Sequence, residues 1–173
     1  MSSSIALGCS HTYGTGVELH QAWPSLLGLV NLGKPGVSTD YCVRILKEYL
    51  STHSVKEVYI FYPNRYRFEY KSGNEILQSL PTDSNRIDFM KTHNESWCEE
   101  NYFNQKYNIA EICKQHGALL IDLELDDITS IVDHHDKWPK GTDGAHNGPQ
   151  WHRWLADLFL VRRSFLQYQS EKK

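Results

Sequence analysis

Apolar residues along the chain fall into two kinds of pattern. Continuous runs occur at Ile5-Ala6-Leu7, at Val58-Tyr59-Ile60-Phe61-Tyr62 and at Ala118-Leu119-Leu120-Ile121, each bounded by turn-forming or charged residues. Runs of that length, rich in β-branched and aromatic side chains, predict strands buried on both faces. Periodic patterns lie between them. Cys42, Ile45, Leu46, Tyr49 and Leu50 recur at i, i+3, i+4, i+7 and i+8, and Trp151, Trp154, Leu155, Leu158 and Phe159 repeat that spacing. Cys98, Tyr102, Ile109, Ile112 and Cys113 share one side of a helix over 95–116. Ser38 is placed to cap the first of these helices, and Gly117 to end the 95–116 helix behind Lys114 and His116. Pro24 starts a short helix expected to run to about Val30, and Asn31 to Val37 reads as a short second strand breaking into a tight loop.

Strand and helix in alternation predict an α/β fold, a parallel sheet covered on both faces. Four strands follow from the pattern, with a fifth open near 128–132. The stretch 65–92 is polar, carries Gly73 and Pro81 and has no long apolar period. It is expected to be an excursion over the active-site edge of the sheet, inside one domain spanning 1–173.

Composition narrows the function classes. At 173 residues and 40% hydrophobic content the chain can bury a proper core. A net charge of −3 without a basic run gives no case for nucleic acid or for a membrane surface. There is no signal-peptide pattern at Met1-Ser2-Ser3-Ser4 and no apolar stretch of membrane-spanning length, so a cytoplasmic location is expected. Cys9, Cys42, Cys98 and Cys113 show no C-x-x-C spacing and read as reduced, mostly buried thiols.

Parallel topology gathers chemistry at one edge, because loops leaving the carboxyl ends of the strands share it. Those loops carry Ser10, Gly36, Asn64 and the pair Asp143 and His146. Acyl transfer asks for such groups: a hydroxyl to attack, an imidazole to take its proton and a carboxylate to orient the imidazole. Backbone N–H groups at Ser10 and Gly36 and the Asn64 amide suit a developing oxyanion. His152 is a rival base. His134-His135-Asp136 raises a metal reading, but adjacent histidines on an extended chain point opposite ways, and no metal or other cofactor is expected. His11, Tyr13, Arg65 and Tyr66 are candidate substrate contacts.

Together these segments resemble the SGNH hydrolases, the GDSL-type esterases and lipases. Gly8-Cys9-Ser10 is similar to the nucleophile block, with cysteine in the usual place of aspartate. Asn31-Leu32-Gly33-Lys34-Pro35-Gly36 and Tyr62-Pro63-Asn64-Arg65 stand for the glycine and asparagine blocks, the latter lacking the glycine two places before Asn64. Asp143-Gly144-Ala145-His146 matches the last block. The resemblance implies a flavodoxin-like three-layer α/β/α fold and metal-free ester hydrolysis through an acyl-enzyme. It makes Ser10 the nucleophile, His146 the base and Asp143 its partner, with Ser10, Gly36 and Asn64 forming the oxyanion hole. The loop residues suggest a small-molecule or glycan substrate, an acetyl ester of a polar alcohol such as a carbohydrate. Two alternatives stay open: a lipase or thioesterase for longer chains, using the alternating Tyr66, Phe68 and Tyr70, and a catalytically silent module binding a glycan or a protein.

Overall fold

A computed structural model describes residues 3–72, 75–79, 95–124 and 138–172. Its strands are β1 (Ser3–Gly8), β2 (Val30–Asn31), β3 (Val55–Phe61), β4 (Phe68–Ser72), β5 (Glu75–Ser79) and β6 (Leu119–Leu123). Its α-helices are α1 (Ser10–Tyr13), α2 (Trp23–Leu26), α3 (Thr39–Leu50), α4 (Glu95–Gln115) and α5 (Pro149–Ser170). β2, β1, β3 and β6 form, in that order, a parallel sheet of four strands.

The period of two along a strand explains the layering. In β1, Ile5 and Leu7 face one side together with Val58 and Ile60 of β3, against Cys42, Leu46 and Leu50 of α3 and Ile109 and Ile112 of α4. Ala6, Tyr59, Phe61 and Ile121 face the other side, against Trp23, Trp151, Leu155 and Phe159. Both faces are covered, which is why these strands are continuous apolar runs and not alternating ones. Each fully buried aliphatic side chain, such as Ile60 or Leu155, stabilises the fold by about 2 kcal/mol. The expected three-layer α/β/α arrangement is the observed one.

From β1 the chain goes outward to β2, then crosses back to place β3 on the other flank of β1. That reversal leaves a crevice outside the carboxyl ends of β1 and β3, where ligands bind in open α/β sheets.

Local punctuation matches the sequence at several points. The Ser38 side chain accepts the Tyr41 N–H at 3.5 Å, and Gly117 follows α4 with φ +66°. The short helix differs: α2 ends at Leu26, because Gly28 turns the chain with φ +67° and β2 already begins at Val30.

The excursion is more ordered than its polarity suggests. Its described part contains an antiparallel hairpin, β4 with β5, held against α3 and α4. The Glu69 N–H donates to Asp40 Oδ2 at 3.2 Å, Arg44 pairs with Glu69 at 2.9 Å, and the buried Phe68 meets Trp97 edge to face. Residues 80–94 and the candidate strand at 128–132 lie outside the described residues. Among the described residues, no helix is long and apolar enough to cross a membrane. All four cysteines are buried, and none is in a disulfide.

Candidate active site

Ser10 is delivered by a turn that only glycine can start. Gly8 has φ +146°, and a β-carbon there would stand 2.2 Å from Thr12 Oγ1 and 2.5 Å from the Phe61 carbonyl oxygen. The Thr12 hydroxyl donates to the Leu7 carbonyl at 3.3 Å, and the Thr12 and Tyr13 N–H groups close on the Cys9 carbonyl at 3.0 and 2.9 Å. Ser10 therefore opens α1 directly beyond the sheet, 7% exposed, its Oγ 4.0 Å from Cys9 Sγ.

The loop after β2 is strapped to this turn. The Lys34 N–H donates to the Gly8 carbonyl at 3.1 Å, and the Asn31 side chain donates to the Thr12 carbonyl at 2.9 Å. Gly36 follows two residues later with φ +77°, on the same edge of the sheet as Ser10. Beyond β3, Asn64 Oδ1 accepts the Tyr66 N–H at 2.9 Å and the Asn64 carbonyl accepts the Arg67 N–H at 3.1 Å. That side-chain turn occupies the amide oxygen and leaves the NH2 end as the donor Asn64 has to offer.

Asp143 and His146 meet across three residues. His146 Nδ1 lies 2.6 Å from Asp143 Oδ2, while Asp143 Oδ1 accepts the Ala145 and His146 N–H groups at 3.1 and 3.0 Å. These donors, the imidazole first, push the Asp143 carboxyl down to about 2, so it is a carboxylate at neutral pH. A carboxylate only accepts, which puts the proton on Nδ1 and leaves Nε2 of the neutral ring as a base. The loop is docked on the exit of the Ser10 turn. The Thr142 N–H and hydroxyl both donate to the Gly16 carbonyl, at 2.8 and 3.2 Å, and the Gly141 N–H donates to the His146 carbonyl at 2.8 Å.

The ring of His11, next to the serine, stands 5.6 Å from that of His146 and 5.0 Å from that of Trp151. His152, the rival base, is committed elsewhere: its Nδ1 accepts the Trp23 N–H at 3.3 Å in the interior, and burial pushes it down to about 4.

A cavity of about 200 Å³ opens beside the serine. Ser10, His11, Asn64 and Arg65 line it; Gly36, Tyr13 and Tyr66 do not. Arg67, expected from the sequence among the loop residues around Ser10, shares the wall with Tyr102 and Glu124, which the sequence does not mark for the site. Tyr102 belongs to the apolar face of α4 and yet donates its hydroxyl to Glu124 at 2.8 Å; Lys106 also pairs with Glu124. The position of Glu124 just past a strand's carboxyl end is the signal that would have found it. His134 and His135 lie outside the described residues.

No protein-family model and no curated protein matches the chain. Among solved structures, TesA superposes with a TM-score of 0.61 at 12% identity, over 92% of this chain and 96% of that one. The lipase/acylhydrolase of Enterococcus faecalis is similar at 19% identity and TM-score 0.45, over 94% of this chain and 95% of that one. The family 3 carbohydrate esterase of Clostridium thermocellum is similar at 14% identity and TM-score 0.45, over 95% and 99%. The likeness to TesA is one of architecture: the flavodoxin-like three-layer α/β/α fold that the SGNH resemblance implies is the fold of this chain.

Proposed function

We propose that the protein is a serine hydrolase of the SGNH type, cleaving a carboxylic ester through an acyl-enzyme. The observation that carries this reading is the Asp143–His146 pair at 2.6 Å, seated by Thr142 on Gly16 at the exit of the Ser10 turn. His146 Nε2 takes the Ser10 proton as Oγ attacks the carbonyl carbon. The Ser10 and Gly36 N–H groups and the Asn64 amide receive the oxyanion, one such donor being worth about 3–4 kcal/mol of barrier. Collapse expels the alcohol, which takes the proton back from His146. Water, deprotonated by the same nitrogen, then attacks the acyl carbon, and Ser10 leaves with its proton restored. Asp143 fixes the tautomer and stays ionised throughout.

The substrate we propose is a short-acyl ester of a polar alcohol, a small molecule or a glycan, with acetyl the smallest case. The size of the cavity and its charged, hydrogen-bonding wall support a short acyl group over a fatty chain.

A fluorophosphonate probe read by peptide mass spectrometry tests the reaction class. Labelling at Ser10 that vanishes in Ser10→Ala is expected. Folded protein that takes no label would overturn the hydrolase and leave the binding-module reading.

A further inference from the structure

The two backbone donors of the proposed oxyanion hole belong to different parts of the chain. The Ser10 N–H opens α1, and the Gly36 N–H lies in the loop that leaves β2. Donors aimed at one oxygen must keep a fixed separation. What joins α1 to that loop therefore bears on the reaction proposed above, on which this inference rests.

The loop is fixed to β1 by its backbone. The Leu32 N–H donates to the Ala6 carbonyl at 2.9 Å and the Lys34 N–H to the Gly8 carbonyl at 3.1 Å, which leaves only Pro35 before Gly36. Its link to α1 is the Asn31 side chain. Asn31 Nδ2 donates to the Thr12 carbonyl at 2.9 Å and to the Tyr13 carbonyl at 3.3 Å, while Oδ1 accepts the Gly33 N–H at 2.9 Å. Those two carbonyls close the four-residue α1, where the helix has no N–H of its own to give them. Only an amide serves both ends, because aspartate has no N–H to donate. The contact is tight as well: a β-carbon on Gly33 would stand 2.8 Å from the Tyr13 nitrogen and from Thr12 Cγ2. We propose that Asn31 is a positioning residue: by holding α1 against the 31–36 loop it sets the separation of the Ser10 and Gly36 donors, and with it the stabilisation of the oxyanion. Asn31 is not part of the cavity wall and acts through those two donors.

Asn31→Ala removes the side-chain bonds to both carbonyls and to Gly33, and Asn31→Asp keeps only the acceptor. Both are compared with Ile109→Val, a core change outside the cavity wall. Turnover of 4-nitrophenyl acetate is measured per active site, with sites counted by fluorophosphonate titration, so a smaller folded fraction does not register. In Asn31→Ala kcat should fall about 10-fold and in Asn31→Asp about 100-fold, with KM within about twofold of the wild type. Ile109→Val should melt at a lower temperature and keep its kcat.

Trifluoroacetophenone reads the oxyanion directly. Ser10 Oγ adds to its carbonyl carbon, the hydroxyl proton passes to His146, and the carbonyl oxygen becomes the alkoxide held by the donors. Its Ki should rise in each Asn31 variant by the factor that kcat/KM falls. If Asn31→Asp does not fold, Asn31→Ala decides alone. A labelled wild type whose Asn31→Ala variant keeps kcat within about twofold overturns the positioning role and leaves the hydrolase standing. So does a kcat loss with an unchanged Ki, or an equal loss in Ile109→Val. A folded wild type that takes no label and hydrolyses no ester overturns the hydrolase, and the positioning role falls with it.

Discussion

Gly16 leaves no space for a β-carbon beside Asp143: one built there would stand 2.8 Å from Asp143 Oδ1 and 3.3 Å from the His146 β-carbon. With φ +88° it also occupies the left-handed region, where a side chain costs about 1–2 kcal/mol. The turn leaving Ser10 is thus the floor on which acid and imidazole rest. Gly16→Ala should push that pair off line and lower kcat/KM by about 10- to 100-fold, because an ångström of misplacement is enough. Turnover at the wild-type rate in a folded variant would show that the pair does not depend on this floor.

Removing the groups proposed to react should be far more severe. Ser10→Ala and His146→Ala are each expected to lower kcat by at least about a thousandfold with the circular dichroism spectrum unchanged, and the double variant should be no worse than either alone. Asp143→Asn keeps an acceptor for the Ala145 and His146 N–H groups, but its amide can present an N–H to Nδ1 and favour the wrong tautomer. A loss of roughly 10³- to 10⁴-fold in kcat with little change in KM is expected. Near-normal turnover in any of the three single variants would remove that residue from the mechanism.

The chemical half of the site is legible in the sequence because it is local. Ser10 ends an apolar run, and an aspartate three residues before a histidine in a glycine-rich loop is within reach of a hydrogen bond by spacing alone. The covered sheet is legible for a related reason, since strands buried on both faces have no polar alternation to hide them. What stays hidden depends on which distant segments meet. Phe68 and Tyr70 alternate visibly, but only pairing with Ser79 and Leu77 makes their segment one strand of a hairpin. Tyr102 reads as part of the apolar face of α4 until the fold brings it to the same cavity as Arg67. His152 is ambiguous beside His146 in sequence, and only the Trp23 N–H pointing at its Nδ1 marks it as a packed histidine.

That packed histidine predicts acid sensitivity. Burial lowers His152 from 6.5 to about 4, so between those values the unfolded chain binds a proton that the fold refuses. Its contribution to stability is complete above pH 6.5 and drains away toward pH 4, by about 3 kcal/mol over the window. Asp143, lowered from 3.8 to about 2, loses its own contribution only below that, as pH falls from 3.8 toward 2. Urea unfolding at pH 7, 5 and 4 should therefore show the first loss in the wild type and a flatter profile in His152→Gln, which keeps an acceptor for Trp23. An equal drop in both proteins would assign the acid sensitivity to other groups.

The length of acyl chain tests the site as a whole. A fatty chain gains about 0.8 kcal/mol for each methylene it buries, so an enzyme with an apolar trough should become more efficient as the chain grows. The cavity beside Ser10 offers about 200 Å³, less than the 300 Å³ or so at the low end of ordinary ligand pockets, and its wall mixes Phe61 and Tyr62 with Arg65, Arg67 and Glu124. Methylenes beyond the first few would have to desolvate those charges or lie outside the cavity, and in neither case do they gain the burial term. The alternating Tyr66, Phe68 and Tyr70 do not supply a trough instead: Phe68 is 1% exposed, its ring committed to Trp97, and neither it nor Tyr66 or Tyr70 lines the cavity. Among neutral aryl esters, kcat/KM should be highest for acetate and butyrate and fall by about tenfold or more at octanoate and palmitate, two or more lost methylene contacts being enough for that difference. A steady rise from acetate to palmitate would mean that an apolar surface outside this cavity receives the chain, and the protein would then be a lipase or thioesterase on the same fold.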